Sequence, residues 1–211
     1  MGGIYMSNEV FQTLPTTAVS DALKGKNHLP STIKVLDARH HIAGKAVTVK
    51  LPIYENGAVM EAMLHAEPGD ILVVDIENNT SRAVAGDFVI GMMKKLGIGG
   101  LVVNGAIRDV EAVLALDFPV FVTGITPAAG VKNGGGKVNI PVTIGKTTVQ
   151  PGDIIVGDVN GVVVVPQEAA LEVAARAKEK IVQDEERERT VTASRESIIA
   201  HLTKVTDSLK A

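Results

Sequence analysis

Short runs of Val, Ile and Leu recur along the chain, each bounded by Gly, Pro, Asn or Asp. On that pattern residues 46–51, 71–75, 101–103, 119–123, 154–157 and 162–165 read as strands. Their apolar character is continuous rather than alternating, which predicts burial on both faces, as in a sheet covered by helices. Helical spacing fills the gaps at residues 17–24, 57–66, 87–96 and 108–116. Pro166 opens a longer helix, from 167 to about 188, with an expected apolar stripe of Leu171, Ala174, Ala175, Ile181 and Val182. The charged run at 184–189 then reads as a solvated face. Beyond about residue 190, Val191, Ile198, Leu202, Val205 and Leu209 repeat with helical spacing. They predict a C-terminal helical extension docked on this core or on a neighbouring subunit.

The 211 residues fit one domain spanning 1–211. With six aromatic residues and no tryptophan, the core must be built from Val, Ile, Leu and Ala. A net charge of −3 argues against a nucleic-acid-binding surface, which needs clustered Lys and Arg. The lack of cysteine removes disulfides, thiolate zinc sites and cysteine nucleophiles, and is compatible with a cytoplasmic location. No apolar stretch approaches the roughly 20 residues needed to span a bilayer. Residues 1–6 lack the basic and apolar regions of a signal peptide, and Ser7 lies one place beyond the usual myristoylation Ser/Thr.

The chemistry concentrates in two segments, Gly86-Asp87-Phe88-Val89 and Asn104-Gly105-Ala106-Ile107-Arg108-Asp109. The first reads as a helix start, whose amides near Phe88 and Val89 suit a carboxylate. The second reads as a strand end, the edge at which α/β proteins bind ligands. The planar fork of Arg108 matches a carboxylate bidentately, although a surface ion pair or a capping contact accounts for it as well from spacing alone. Asp109 is a hard oxygen ligand suited to Mg²⁺ or Mn²⁺. Asp109 and Asp87 also fit as acids in a helix's first turn, favoured by the dipole. The five histidines show no zinc-ligand spacing, and the Gly-x-Ser-x-Gly elbow and the phosphate-binding loop are absent. The glycines at 97–100 and 130–136 read as turns. Lys94 and Lys95 have no context that makes them Schiff-base lysines.

These segments, extended back to Lys95 and joined by Ala43 to Val49 and by Val149 to Pro166, resemble the RraA-like family. That family includes 4-hydroxy-4-methyl-2-oxoglutarate aldolases and the ribonuclease E inhibitor RraA. The resemblance covers about residues 15–188 and implies a layered α/β sandwich related to swivelling phosphohistidine domains, assembled as a homotrimer or hexamer. It implies that Arg108 binds the keto acid, that Asp109 binds a divalent metal directly, and that Gly86, Asp87, Phe88 and Val89 contact the substrate. Asp87 would hold metal-bound water, and Glu185 or Asp184 of a neighbouring subunit's helix would complete the water shell. The chain departs from the family at Asn104, where most members have aspartate, and at Glu55-Asn56, Lys146 and Asn160.

The expected activity is therefore a Mg²⁺- or Mn²⁺-dependent aldolase that cleaves a 4-hydroxy-2-keto acid to pyruvate. Oxaloacetate decarboxylation would accompany it, because both reactions pass through the pyruvate enolate. The rival expectation is an RraA-like regulator that binds and inhibits a ribonuclease without catalysis. A methyltransferase finds no strand followed by a glycine-rich nucleoside-binding turn.

Overall fold

The computed structural model describes residues 9–210, so the segment read above for targeting signals lies outside the described residues. Four strands, β2 (Ile42–Lys50), β3 (Ile71–Ala83), β4 (Gly100–Ile107) and β5 (Val120–Ile125), run parallel side by side. The short β1 (Lys34–Val35) closes one edge against β5, and β9 (Ile154–Asp158) and β10 (Gly161–Val165) extend the other beyond β2, all antiparallel. The antiparallel β6 (Lys137–Val138) pairs with the last residues of β2.

The continuous apolar runs are explained by two packed faces. Leu72, Val74, Leu101, Val103, Val120 and Val122 point into one cluster under α2 (Gly57–Met63), α3 (Asp87–Lys95) and α4 (Val110–Ala115). Their neighbours Ile71, Val73, Val102 and Phe121 point to the opposite side, onto a second cluster with Ile144, Val149, Ile155 and Val164. Successive strand residues alternate between faces, so both parities must be apolar. That second cluster is capped by the hairpin β7 (Val142–Ile144)–β8 (Thr147–Val149). The hairpin's alternation of buried and exposed residues around Gly145-Lys146 was a readable signal that strand assignment by apolar runs passes over. Helix α1 (Thr16–Ala22) and the long α5 (Ala170–Val191) pack together on β9 and β10.

Three expectations are corrected. Strand β3 continues past Asp75 to Ala83 through a bulged, exposed stretch in which Glu77 and Asn78 are left-handed. Backbone pairing to β4 holds it rather than burial, so an apolar pattern could not show it. On α5 the buried face is Ala170, Val173, Ala174 and Ala177 with Ile181 packed beside them, so Ala174 and Ile181 lie where expected, whereas Leu171, Ala175 and Val182 are exposed. The stripe is rotated because the first buried position is Ala170. Helix α6 (Arg195–Ser208), capped by the Ser194 hydroxyl accepting from the Ser197 amide, has no buried residue and is not docked on this chain's core, which leaves the neighbouring-subunit alternative of that expectation. Among the described residues no helix is long and apolar enough to cross a membrane.

Candidate active site

Strand β4 ends at Ile107, so Arg108 and Asp109 emerge at its carboxyl end. Asp109 is left-handed (φ 57°, ψ 40°) and precedes α4, which starts at Val110 rather than at Arg108. A non-glycine residue rarely adopts that conformation. Here it turns the chain sharply and sets the Asp109 carboxylate beside its neighbour, with Oδ2 3.2 Å from Arg108 Nε. Both side chains are partly exposed, and the Arg108 amide donates to the Ala85 carbonyl at 3.1 Å. That bond fastens the turn to the segment leading into α3. Gly86, the residue before α3, is buried against the pair. A Cβ placed there would lie 2.3 Å from Asp109 Oδ2 and 3.1 Å from Arg108 Cγ and Nε. Only glycine leaves room for this approach.

Arg108 borders two clefts. One, of about 170 Å³, is walled by Gly86, Phe88, Val89, Asn56, Gly130 and Lys132. The other, open and about 630 Å³, is bordered by Asp87, Asp109 and Glu111. Asp87 borders both. Its Oδ1 accepts from its own neighbour's amide, Phe88 N, at 2.7 Å. A substrate carboxylate that takes that amide must therefore displace the Asp87 side chain. A separate cleft of about 280 Å³, between α1 and the β9–β10 turn, is lined by Thr16, Ser20, His28 and Asn160 and has no arginine or lysine to pair with a carboxylate.

The donor set fits a hydrated Mg²⁺ or Mn²⁺. Asp109 and Asp87 flank the open cleft, and such ions take one or two protein carboxylates and keep several waters. Among the described residues no group of three His, Cys, Asp or Glu could hold an ion, which does not suit a closed zinc site.

A family model described as RraA-like, Aldolase/RraA, matches residues 16–164. The chain belongs to the RraA-like family. This RraA-like chain is 47% identical over 195 residues to a Halalkalibacterium halodurans protein named "Putative 4-hydroxy-4-methyl-2-oxoglutarate aldolase", a match covering 92% of this chain and 93% of that one. Among solved structures, an uncharacterized protein from Pseudomonas syringae pv. tomato matches with a TM-score of 0.79 at 27% identity, over 94% of each chain. RraAS2 of Streptomyces coelicolor, described as an unusual member of the RNase ES inhibitor RraA protein family, matches with a TM-score of 0.76 at 28% identity, over 90% of this chain and 98% of that one.

In this RraA-like fold Gly86, Asp87, Phe88, Val89, Arg108 and Asp109 converge as the sequence suggested. Glu185 does not join them within one chain. It is exposed on α5, lines neither cleft at Arg108, and its neighbour Asp184 is bound to Lys180 and Arg187. Asn104 lies inside the sheet, donating to Asp75 Oδ1 at 2.8 Å while Lys50 Nζ reaches Asp75 Oδ2 at 2.7 Å. Lys94 is bound to the Leu116 carbonyl, and His40 to Asp117 at 3.1 Å. Asn56 and Lys132 belong to the cleft but escape sequence reasoning. Asn56 carries a readable signal, standing before α2 where helix-capping residues occur. Lys132 sits in a glycine-rich loop and carries none.

Proposed function

We propose that this chain is a divalent-metal-dependent aldolase that cleaves a 4-hydroxy-2-keto acid, such as 4-hydroxy-4-methyl-2-oxoglutarate, to pyruvate, with oxaloacetate decarboxylation as a side activity. The observation that carries this reading is the close approach of Gly86 to Asp109 and Arg108, three groups from two elements meeting where a side chain at 86 would push the Asp109 carboxylate aside. Arg108 pairs with the C1 carboxylate of the substrate, and its fork fixes that group's plane. The α3 amides add positive potential once Asp87 turns away from Phe88 N.

Asp109 would hold Mg²⁺ or Mn²⁺ directly, and Asp87 would hold one of its waters. When bound, the ion would supply Lewis-acid stabilisation of charge at the 2-keto oxygen. Asp87, at the junction of the clefts, would orient the water that takes the 4-hydroxyl proton and returns a proton to C3 of the enolate to give pyruvate. The exposed apolar residues of α6, Ile198, Leu202 and Val205, support self-association as a trimer or hexamer, in which Glu185 could approach a neighbour's site. A cytoplasmic location is compatible with the lack of cysteine.

The likeness to RraAS2 favours a second reading, inhibition of a ribonuclease without catalysis. One assay separates the two. The aldolase reading expects pyruvate release from 4-hydroxy-4-methyl-2-oxoglutarate that stops with EDTA and returns with Mg²⁺. No pyruvate at any metal concentration would leave the regulator.

A further inference from the structure

The cleft beside Arg108 has a second wall, built around a buried acid. Glu55 is 4% exposed and directly precedes Asn56 and α2. Its Oε1 accepts from the Gly57 amide at 2.8 Å and the Asn56 amide at 3.0 Å. Its Oε2 accepts from the Asn133 amide at 2.9 Å, so one carboxylate joins the start of α2 to a loop 78 residues away. The Gly57 amide foremost, with those of Asn133 and Asn56, holds this carboxyl below the usual range against the opposing effect of burial.

That loop has little stiffness of its own. Gly134, Gly135 and Gly136 are consecutive residues at positive φ, 88°, 126° and 100°. Such glycines allow many conformations, so the native one must be fixed from outside. Backbone bonds pin the near side of the loop: Asn56 N to Val131 O at 2.9 Å and Val131 N to Tyr54 O at 2.8 Å. Glu55 extends the anchorage to Asn133, beyond Lys132. The residues that it brackets, Asn56 and Lys132, both line the cleft with Arg108. The Oδ1 atom of Asn56 is buried without a hydrogen-bond partner. An acceptor left unsatisfied in a native fold calls for a ligand or a water.

We propose that Glu55 is a positioning residue for substrate binding, anchoring the 130–136 loop so that Asn56 and Lys132 form the cleft wall that receives the substrate's distal end. This rests on the aldolase reading. Lys132 supplies a cation and Asn56 a side-chain amide to that distal end.

The test uses the full-length protein with Mg²⁺ and two variants. Glu55→Gln puts an amide NH₂ against an N–H donor on one side of the bridge. Asn133→Pro removes the loop's donor while also fixing φ at 133 and restricting Lys132, and it keeps Glu55 itself, which guards against a Gln variant that fails to fold. Hydrogen exchange is followed over residues 128–137, with kinetics on 4-hydroxy-4-methyl-2-oxoglutarate. Loss of one charge-assisted hydrogen bond should speed loop exchange and raise KM by about tenfold or more, with kcat within about twofold. Unchanged exchange in both variants overturns the anchor. Faster exchange with unchanged KM overturns its role in substrate binding. A parent protein without turnover sinks the aldolase reading and the substrate half of this proposal, while faster loop exchange would still uphold the anchor.

Discussion

Gly86→Ala isolates the geometry on which the catalytic reading stands. The backbone at Gly86 is extended (φ −134°, ψ −169°), a conformation open to alanine, so the perturbation is one methyl group. That methyl would lie 2.3 Å from Asp109 Oδ2, and the carboxylate must retreat by about 1 Å to reach an ordinary contact of 3.4 Å. The Asp109 side chain is 37% exposed and can swing toward solvent without breaking the core. Alanine before a helix costs about 1 kcal/mol or less relative to glycine, a Tm change of roughly 2–4 °C in a chain of this size. Catalysis responds differently, because a misplacement of about 1 Å costs on the order of 10²-fold, or about 2.7 kcal/mol of transition-state stabilisation. The control is Gly91→Ala in the same helix, where the added methyl meets Leu116 Cδ1 at an ordinary 3.9 Å. It should raise stability by roughly 0.5–1 kcal/mol and leave turnover alone. The assay is pyruvate release coupled to lactate dehydrogenase, beside thermal melts of all three proteins. A Gly86→Ala protein with parental kcat/KM would refute the assignment of Asp109 and Arg108 to the reacting centre. A melt lowered by more than about 10 °C would instead make the glycine a folding requirement.

The other outcomes follow from single interactions. Asp109→Ala should abolish metal-dependent turnover while the fold persists, and full activity in EDTA would contradict it. Once substrate covers the partly exposed Arg108, losing its pairing with the carboxylate should cost roughly 2–5 kcal/mol, and Arg108→Lys should recover little of it, because a point charge cannot form the fork; equal kcat/KM in the lysine variant would reject the carboxylate clamp. Asp158 accepts from the Thr16 amide and hydroxyl and from the Asn160 amide and side chain. Burial pushes its carboxyl up, but the Thr16 and Asn160 donors outweigh burial and hold it below the ordinary value. Its stabilisation is therefore present above the unfolded pKa of about 3.9 and lost as pH falls through the depressed folded value. Asp158→Asn should flatten that acid limb in urea melts from pH 2 to 7, and an unaltered slope would remove Asp158 from it. Sedimentation should show a trimer or hexamer, and Glu185→Gln should lower metal-dependent turnover about 10–100-fold if that acid reaches a neighbour's metal-bound water. A fully active monomer would exclude that contribution.

The sequence by itself determined the parts of this protein that depend on local pattern. Runs such as 71–75 and 101–103 are apolar at both parities, so the central strands and their two covered faces are legible in the pattern alone. Arg108 was legible as a group just beyond a strand's carboxyl end, because the strand and the turn after it are both written locally. Tertiary structure decided everything that joins distant residues. The left-handed Asp109, the 2.3 Å approach at Gly86 and the extension of β3 through exposed Glu77 and Asn78 leave no periodic trace. On α5 the sequence offers two overlapping apolar stripes, one through Leu171 and one through Ala170, Val173, Ala174, Ala177 and Ile181, and packing on β9 and β10 selects the second. The bridge from Glu55 to Asn133 spans 78 residues, and a buried acid satisfied by amide donors reads in sequence like any other glutamate. Side-chain periodicity reports which face is apolar, whereas only the packed chain fixes which donors meet which acceptors.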